Sequence, residues 1–321
     1  MEEPLIKIEN LHIRFNTLLG AVEAVRGIDL EIKKGRVLGL VGESGSGKSL
    51  TGLSIMGLIP KPNGWISEGD IFIEKHSVRE MKEQDLYRIR GNKVAMIFQE
   101  PMTSLNPVLR IGDQIGEALW IHQRLKGEEQ KKQVLQMLDM VKIPSPEKVY
   151  YRYPHQLSGG MRQRIMIAMA ISCNPDLLIA DEPTTALDVT IQAQILRMMK
   201  QLVAQLSLSI LFITHDLGVI SQISDDIAVM YCGKIVEAGK TEDVLSHPLH
   251  PYTKGLIEAR PDNYTQEKGY HFIPGRVPSL YDLGRGCSFA DRCCQCMDIC
   301  FSKEPAETFP HNGHRVSCWR A

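Results

Sequence analysis

Eight residues, Gly42-Glu43-Ser44-Gly45-Ser46-Gly47-Lys48-Ser49, constrain this chain more than any others. Their two framing glycines stand five apart and are followed at once by Lys and Ser; the apolar run Arg36 to Val41 precedes them and the apolar run Leu50 to Ile59 follows. A glycine-rich turn between a strand and a helix lets backbone amides face inward on an anion, and the helix start adds partial positive charge. The pattern therefore predicts an α/β fold with a phosphate cradle at a strand end. Lys48 is expected on the outer phosphates and Ser49 on a divalent cation, with Leu50 carrying the loop into its helix.

The rest of the chain is patterned to match. Candidate strands at Arg36 to Val41, Val94 to Phe98, Leu177 to Ala180, Ile210 to Thr214 and Ile227 to Tyr231 alternate with helix-like segments, the pattern of an α/β domain with a largely parallel central sheet, which with the loop predicts a P-loop NTPase. Before Gly35 the texture differs: Ile6 to Phe15 and Val22 to Ile32 read as half-buried antiparallel strands, an N-terminal β-subdomain. From Gly112 to Tyr151 the chain turns polar with helical periodicity, which predicts an inserted helical subdomain. Near Arg260-Pro261 proline, glycine and cysteine rise. This divides the 321 residues into a nucleotide-binding domain over 1–260 and a small cysteine-rich region over 261–321.

Bulk properties exclude several classes. A net charge of -1, from 37 basic and 38 acidic side chains, leaves no footprint for nucleic acid. The start Met1-Glu2-Glu3-Pro4 lacks the basic patch and apolar core of a secretory signal. Apolar stretches such as Ile165 to Ile171 fall far short of the roughly 20 residues a membrane-crossing helix needs. If the protein serves a membrane, it is expected to do so from outside the lipid.

Two further segments carry chemistry. Leu177-Leu178-Ile179-Ala180-Asp181-Glu182 delivers two carboxylates at the C-terminal end of a buried strand, where sites lie in such sheets. Asp181 is placed to hold Mg²⁺ and Glu182 to polarise an attacking water. Leu157-Ser158-Gly159-Gly160-Met161-Arg162-Gln163-Arg164 begins a helix with Ser158 as N-cap and glycines that admit close backbone approach.

With the loop and the carboxylates, this last segment is similar to the signature sequence of the ABC ATPases. The resemblance implies ATP as ligand and substrate, sandwiched so that Ser158, Gly159 and Gly160 complete the site of a partner chain. It also implies roles for Gln99 as the Q-loop glutamine reaching Mg²⁺ and water, for Ala186-Leu187-Asp188 as the D-loop, and for His215 as the switch histidine on the γ-phosphate. Phe15 takes the place of the aromatic that stacks on adenine; packing as core of its strand is the alternative.

Four segments narrow the resemblance: 98–107 (Phe-Gln-Glu-Pro-Met-Thr-Ser-Leu-Asn-Pro), 216–219, 250–253 and 273–278. They resemble the ATPase subunits of dipeptide and oligopeptide importers, with nickel importers sharing much of the wording. The family implies a peripheral subunit at the cytoplasmic face of the membrane. Its partners would be a second ATPase subunit, as heterodimer or homodimer, two membrane-spanning permeases and, indirectly, an extracellular binding protein. Soluble ABC ATPases of DNA repair or translation fit less well, because the chain has neither a coiled-coil insertion nor a second cassette.

Six of the eight cysteines crowd into the final 35 residues. Zinc sites favour close pairs, and only Cys293 with Cys296 has that spacing. The peptide-importer resemblance implies instead a four-iron, four-sulfur cluster on Cys287, Cys293, Cys300 and Cys318, whose gaps of five, six and seventeen residues match the family. Zinc or unligated thiols are the alternatives, and a redox-regulated ATPase would be a corollary of the cluster.

Overall fold

In the computed structural model, residues 3–99, 104–185, 187–260, 272–311 and 313–321 are described. Glu100 to Thr103 of the segment 98–107, Ala186 of the expected D-loop and Pro261 at the predicted boundary lie outside them. The chain divides into two units: Met1–Leu5, Ile32–Arg36 and Glu80–Ile213 form one, and Ile6–Glu31, Val37–Arg79 and Thr214–Ala321 the other.

The second of these begins with the alternating N-terminal strands. β1 (Ile6–Thr17) buries Ile6, Ile8, Leu11 and Ile13 almost completely. The change of phase between Ile8 and Leu11 reflects an irregularity in pairing at Glu9 to His12, where Asn10 takes φ 43 and shifts which side chains face the core. β2 (Gly20–Ile32) lies beside β1. β3 (Val37–Val41) is buried along its whole length, as a strand covered on both faces must be. It feeds through the loop into α1 (Lys48–Ile55). That helix is shorter than the expected Leu50 to Ile59, because Gly57 at φ 62 turns the chain out of helical geometry. β4 (Gly64–Ile73) and β5 (His76–Ser77) complete an antiparallel edge, giving the order β2-β1-β4-β5.

The other unit carries α2 (Glu83–Ile89), β6 (Val94–Ile97), α3 (Ile111–Gln123), α4 (Gly127–Met140), α5 (Pro146–Tyr150), α6 (Gly159–Ile171), β7 (Leu177–Asp181), α7 (Val189–Leu206) and β8 (Ser209–Thr214). β6, β7 and β8 run parallel in that order. The polar, periodic stretch becomes amphipathic α3 and α4, whose buried faces carry Ile111, Ile115, Leu119, Val134 and Leu138. Arg164 of α6 donates to Val141 O at 3.0 Å and to Gln194 Oε1 at 3.1 Å.

The chain then returns to the first-described unit with α8 (Leu217–Ile223), β9 (Asp226–Tyr231), β10 (Lys234–Lys240), α9 (Thr241–Ser246), α10 (Pro251–Glu258), α11 (Asp298–Ser302), β11 (Thr308–His311) and β12 (His314–Val316). β9 is parallel to β3, while β12 pairs antiparallel with β10, so that the strands of this unit run in the order β11-β12-β10-β9-β3. Among the described residues no helix is long and apolar enough to cross a membrane.

His250 caps α10: its Nδ1 accepts the Tyr252 N–H at 3.0 Å, with Pro251 in the first turn where no donor is lost. Accepting requires an unprotonated nitrogen. Burial, with a smaller contribution from Lys254, lowers the pKa of His250 to about 3. The unfolded chain therefore takes up a proton below about pH 6.5 that the fold refuses, and stability should fall as pH drops from there towards 3, by about 1.4 kcal/mol per pH unit from this group. Denaturant titrations at pH 7 and pH 5 on wild type and His250→Asn check this: the variant should lose most of that extra pH dependence, and equal slopes would refute it.

Candidate phosphate-binding site

The loop from Gly42 to Ser49 is shaped by close packing at its start. A Cβ on Gly42 would lie 2.0 Å from Met230 O, so only glycine lets the chain pass there. Gly47 stands at φ 105 as the N-cap of α1, with no side-chain capping bond. Lys48 is buried; its Nζ donates to Gly42 O at 2.7 Å, Glu43 O at 2.9 Å and Ser46 Oγ at 3.3 Å. The ammonium is thus held over the loop's own carbonyls, poised at the position where a phosphate oxygen would compete for it. Ser44 and Gly45 are exposed at the rim, and Ser49 and Leu50 are half-buried in the first turn of α1.

In the same unit Phe15 pairs with Gly64 across β1 and β4, and a Cβ on Gly64 would come 2.5 Å from the Phe15 ring, which therefore covers the glycine. Half-buried, it keeps part of the ring accessible. His215 follows β8 and is exposed, while Asp216 beside it caps α8 by accepting from Gly218 N–H at 2.7 Å.

The other unit holds the remaining predicted residues. Asp181 closes β7 and is 3% exposed. Glu182 takes φ 48, a left-handed conformation that costs a non-glycine residue on the order of 1 kcal/mol. Its N–H donates to Ile213 O at 2.9 Å and its Oε2 accepts from Thr185 Oγ1 at 2.9 Å. Ser158 caps α6 as expected, accepting from Met161 N–H at 3.4 Å. Asp188 caps α7 by accepting from Ile191 N–H at 2.9 Å. Gln99, just after β6, is exposed.

The cysteine tail corrects one expectation. Among the described residues no group of three or more His, Cys, Asp or Glu is placed to hold a metal ion, and the cysteines are free thiols. Cys287, Cys293, Cys300 and Cys318 do line one cavity, together with Phe289 and Trp319, but its volume is about 20 Å³. That is room for about one water molecule and not for an eight-atom cluster. The iron-sulfur and zinc assignments are therefore withdrawn, and these cysteines pack as thiols.

Two residues around the loop escaped sequence reasoning. Tyr252, fully buried, accepts the Glu43 N–H on its hydroxyl at 2.9 Å. Arg292 grips the Glu43 carboxylate with two nitrogens, at 2.6 Å and 3.0 Å. Neither stands at a telling spacing from residues 42–49; only the quoted segment 250–253 touched one of them.

Comparison with known proteins follows the same lines. Residues 25–185 match the ABC transporter family, and residues 236–300 match the oligopeptide/dipeptide transporter C-terminal region. The chain is 49% identical to the oligopeptide transport ATP-binding protein AppD of Bacillus subtilis (strain 168), over 98% of this chain and 96% of that one. It is 46% identical to the dipeptide transport ATP-binding protein DppD of the same organism, over 99% and 95%. Among solved structures, a dimeric bacterial ABC transporter cassette in a post-hydrolysis state, bound to ADP and Pi, superposes with a TM-score of 0.66 at 28% identity, covering 74% of this chain and 98% of that chain. The mixed α/β fold around a phosphate loop and the likeness along nearly the whole chain agree, and this protein belongs to the ABC transporter family of ATP-hydrolysing, ATP-binding proteins.

Proposed function

We propose that this chain is the ATP-hydrolysing motor subunit of an importer of dipeptides and oligopeptides, acting from the cytoplasmic face of the membrane beneath two permease subunits. The observation that carries the ATPase reading is the phosphate loop with Lys48 Nζ held on the loop's own carbonyls. The cargo reading is supported by likeness to peptide-transport ATP-binding proteins over 98% of the chain.

In this reading Gly42 to Leu50 hold the phosphates and Phe15 meets the adenine. Ser49, Gln99 and Asp181 supply hydroxyl, amide and carboxylate oxygens, the hard donor set that suits Mg²⁺, which would neutralise phosphate charge. Glu182 takes a proton from the attacking water, with His215 on the γ-phosphate. Ser158, Gly159 and Gly160 complete the site of a partner ATPase subunit, most naturally a related chain in a heterodimer. Gly159 supports this: a Cβ there would meet nothing within 4 Å, so the packing of this chain supplies no reason for a glycine. Helices α3 to α5 serve as the inserted helical subdomain that meets the permease. Residues 1–260 form the nucleotide-binding domain and 261–321 the cysteine-rich appendage.

The test is reconstitution. The chain, its co-purified ATPase partner and permeases, placed in vesicles with the cognate binding protein, should hydrolyse ATP faster when short peptides are supplied, and should accumulate them. Stimulation by nickel and not by peptides would overturn the cargo.

A further inference from the structure

We propose that Arg292 is a positioning residue of the phosphate loop: it draws the Glu43 carboxylate out of the path of the arriving phosphates and so sets the affinity for ATP. The inference rests on the reading above that residues 42–49 bind the nucleotide.

Glu43 is an awkward residue for such a loop. It is the second of the eight residues of a loop read as cradling a polyanion, and a free carboxylate there repels the ligand. The fold answers with a fork. Arg292 Nη1 lies 2.6 Å from Glu43 Oε2 and Nη2 lies 3.0 Å from Oε1, a bidentate pair that fixes direction as well as charge. The Arg292 side chain is only 5% exposed, so solvent screens the pair weakly. It is itself held: Nε donates to Pro274 O at 2.9 Å, Nη1 also reaches Tyr231 Oη at 3.3 Å, and the guanidinium sits 5.8 Å and 5.9 Å from the Tyr231 and Phe289 ring centres. Those rings pack with Tyr252 at 4.6 to 5.3 Å, and Tyr252 takes the Glu43 N–H. Both the side chain and the backbone of Glu43 are therefore held from the C-terminal part of the chain, while Glu43 O receives Lys48 Nζ.

The pair leads to a double-mutant cycle on the full-length chain, reading the Kd of a fluorescent ATP analogue, with thermal unfolding to confirm that each variant is folded. Arg292→Ala should weaken binding about tenfold, because the carboxylate is released towards the phosphates. Glu43→Gln, which takes the charge out of the loop and breaks the fork, supplies the reference background of the cycle, and its own Kd is the baseline there. In the Glu43→Gln background, removal of Arg292 should cost less than about threefold. Arg292→Lys, which keeps the charge but loses the fork, should fall between wild type and Arg292→Ala; it also serves, with its own Glu43→Gln double variant, should Arg292→Ala fail to fold. Equal losses in the two backgrounds, or no loss at all, would overturn the positioning role. Failure of the wild-type chain to bind the analogue would instead overturn the reading of the loop.

Discussion

Glu182→Gln should leave ATP binding intact and slow hydrolysis by about a thousandfold, within the range that positioned general bases contribute. The substitution is nearly isosteric. Gln keeps an oxygen to accept from Thr185 Oγ1, now at 2.9 Å from Oε2, and leaves the backbone bond from residue 182 N–H to Ile213 O in place. What it removes is the ability to take a proton from water. Glu182 follows β7 at a left-handed φ of 48, a conformation that no residue of that strand shares, and strain of this kind clusters at functional sites. Nucleotide binding by the purified variant, followed by single-turnover phosphate release from the assembled pair, separates the two effects. Turnover within tenfold of wild type would remove Glu182 from the base role.

Glu237→Ala should destabilise the fold by about 3 to 5 kcal/mol, the loss typical when one partner of a buried charged network is deleted. Glu237 lies on β10 with no exposed surface. Its carboxylate receives the Leu249 N–H at 2.7 Å, the His250 N–H at 3.0 Å and pairs with His314 Nε2 on β12 at 2.8 Å. Truncation leaves those groups in a dry site with no acceptor. Glu237→Gln, which keeps one oxygen, should cost less, about 1 to 3 kcal/mol. Denaturant unfolding measures the size, and amide exchange localises it: Leu249, His250 and Val316 should lose protection first. Because His250 caps α10, and α10 carries Tyr252 to the Glu43 amide, ATP affinity should weaken in step. A change below 1 kcal/mol for Glu237→Ala would refute the network's role.

Much of the fold was legible in local pattern. β3, β7, β8 and β9 are continuous apolar runs buried on both faces, and their bounds differ from the expected ones by a residue or less. The helical stretch between Gly112 and Tyr151 separates into three helices at Arg124 and Ser145, both in left-handed conformation. β4 was not legible: in Gly64–Ile73 the apolar residues cluster at the two ends around Ser67, Glu68, Gly69 and Asp70, so the alternation of a half-buried strand is broken. The pairing of β12 with β10 escaped for another reason. His314–Val316 is three residues long, and only its partner makes it a strand.

For the site, the chain's chemistry was written in contiguous motifs and its support was not. Loop, carboxylates and helix caps are local devices, in which spacing along the backbone already fixes spacing in space, so residues 42–49, 158–160 and 181–182 could be proposed without coordinates. The cysteine spacing failed as a guide because gaps along a loop do not determine whether side chains converge with room between them; here they surround a space of about 20 Å³. Arg292 and Glu43 stand 249 positions apart, and His314 and Glu237 stand 77 apart. Such pairs depend on which strands and loops pack together, a sum of many weak burial terms that no short segment carries. The sequence by itself determined that this protein belongs among the ATP-binding proteins of the ABC transporter family. Only the tertiary structure decided that the far end of the chain reaches back to hold the phosphate loop in place.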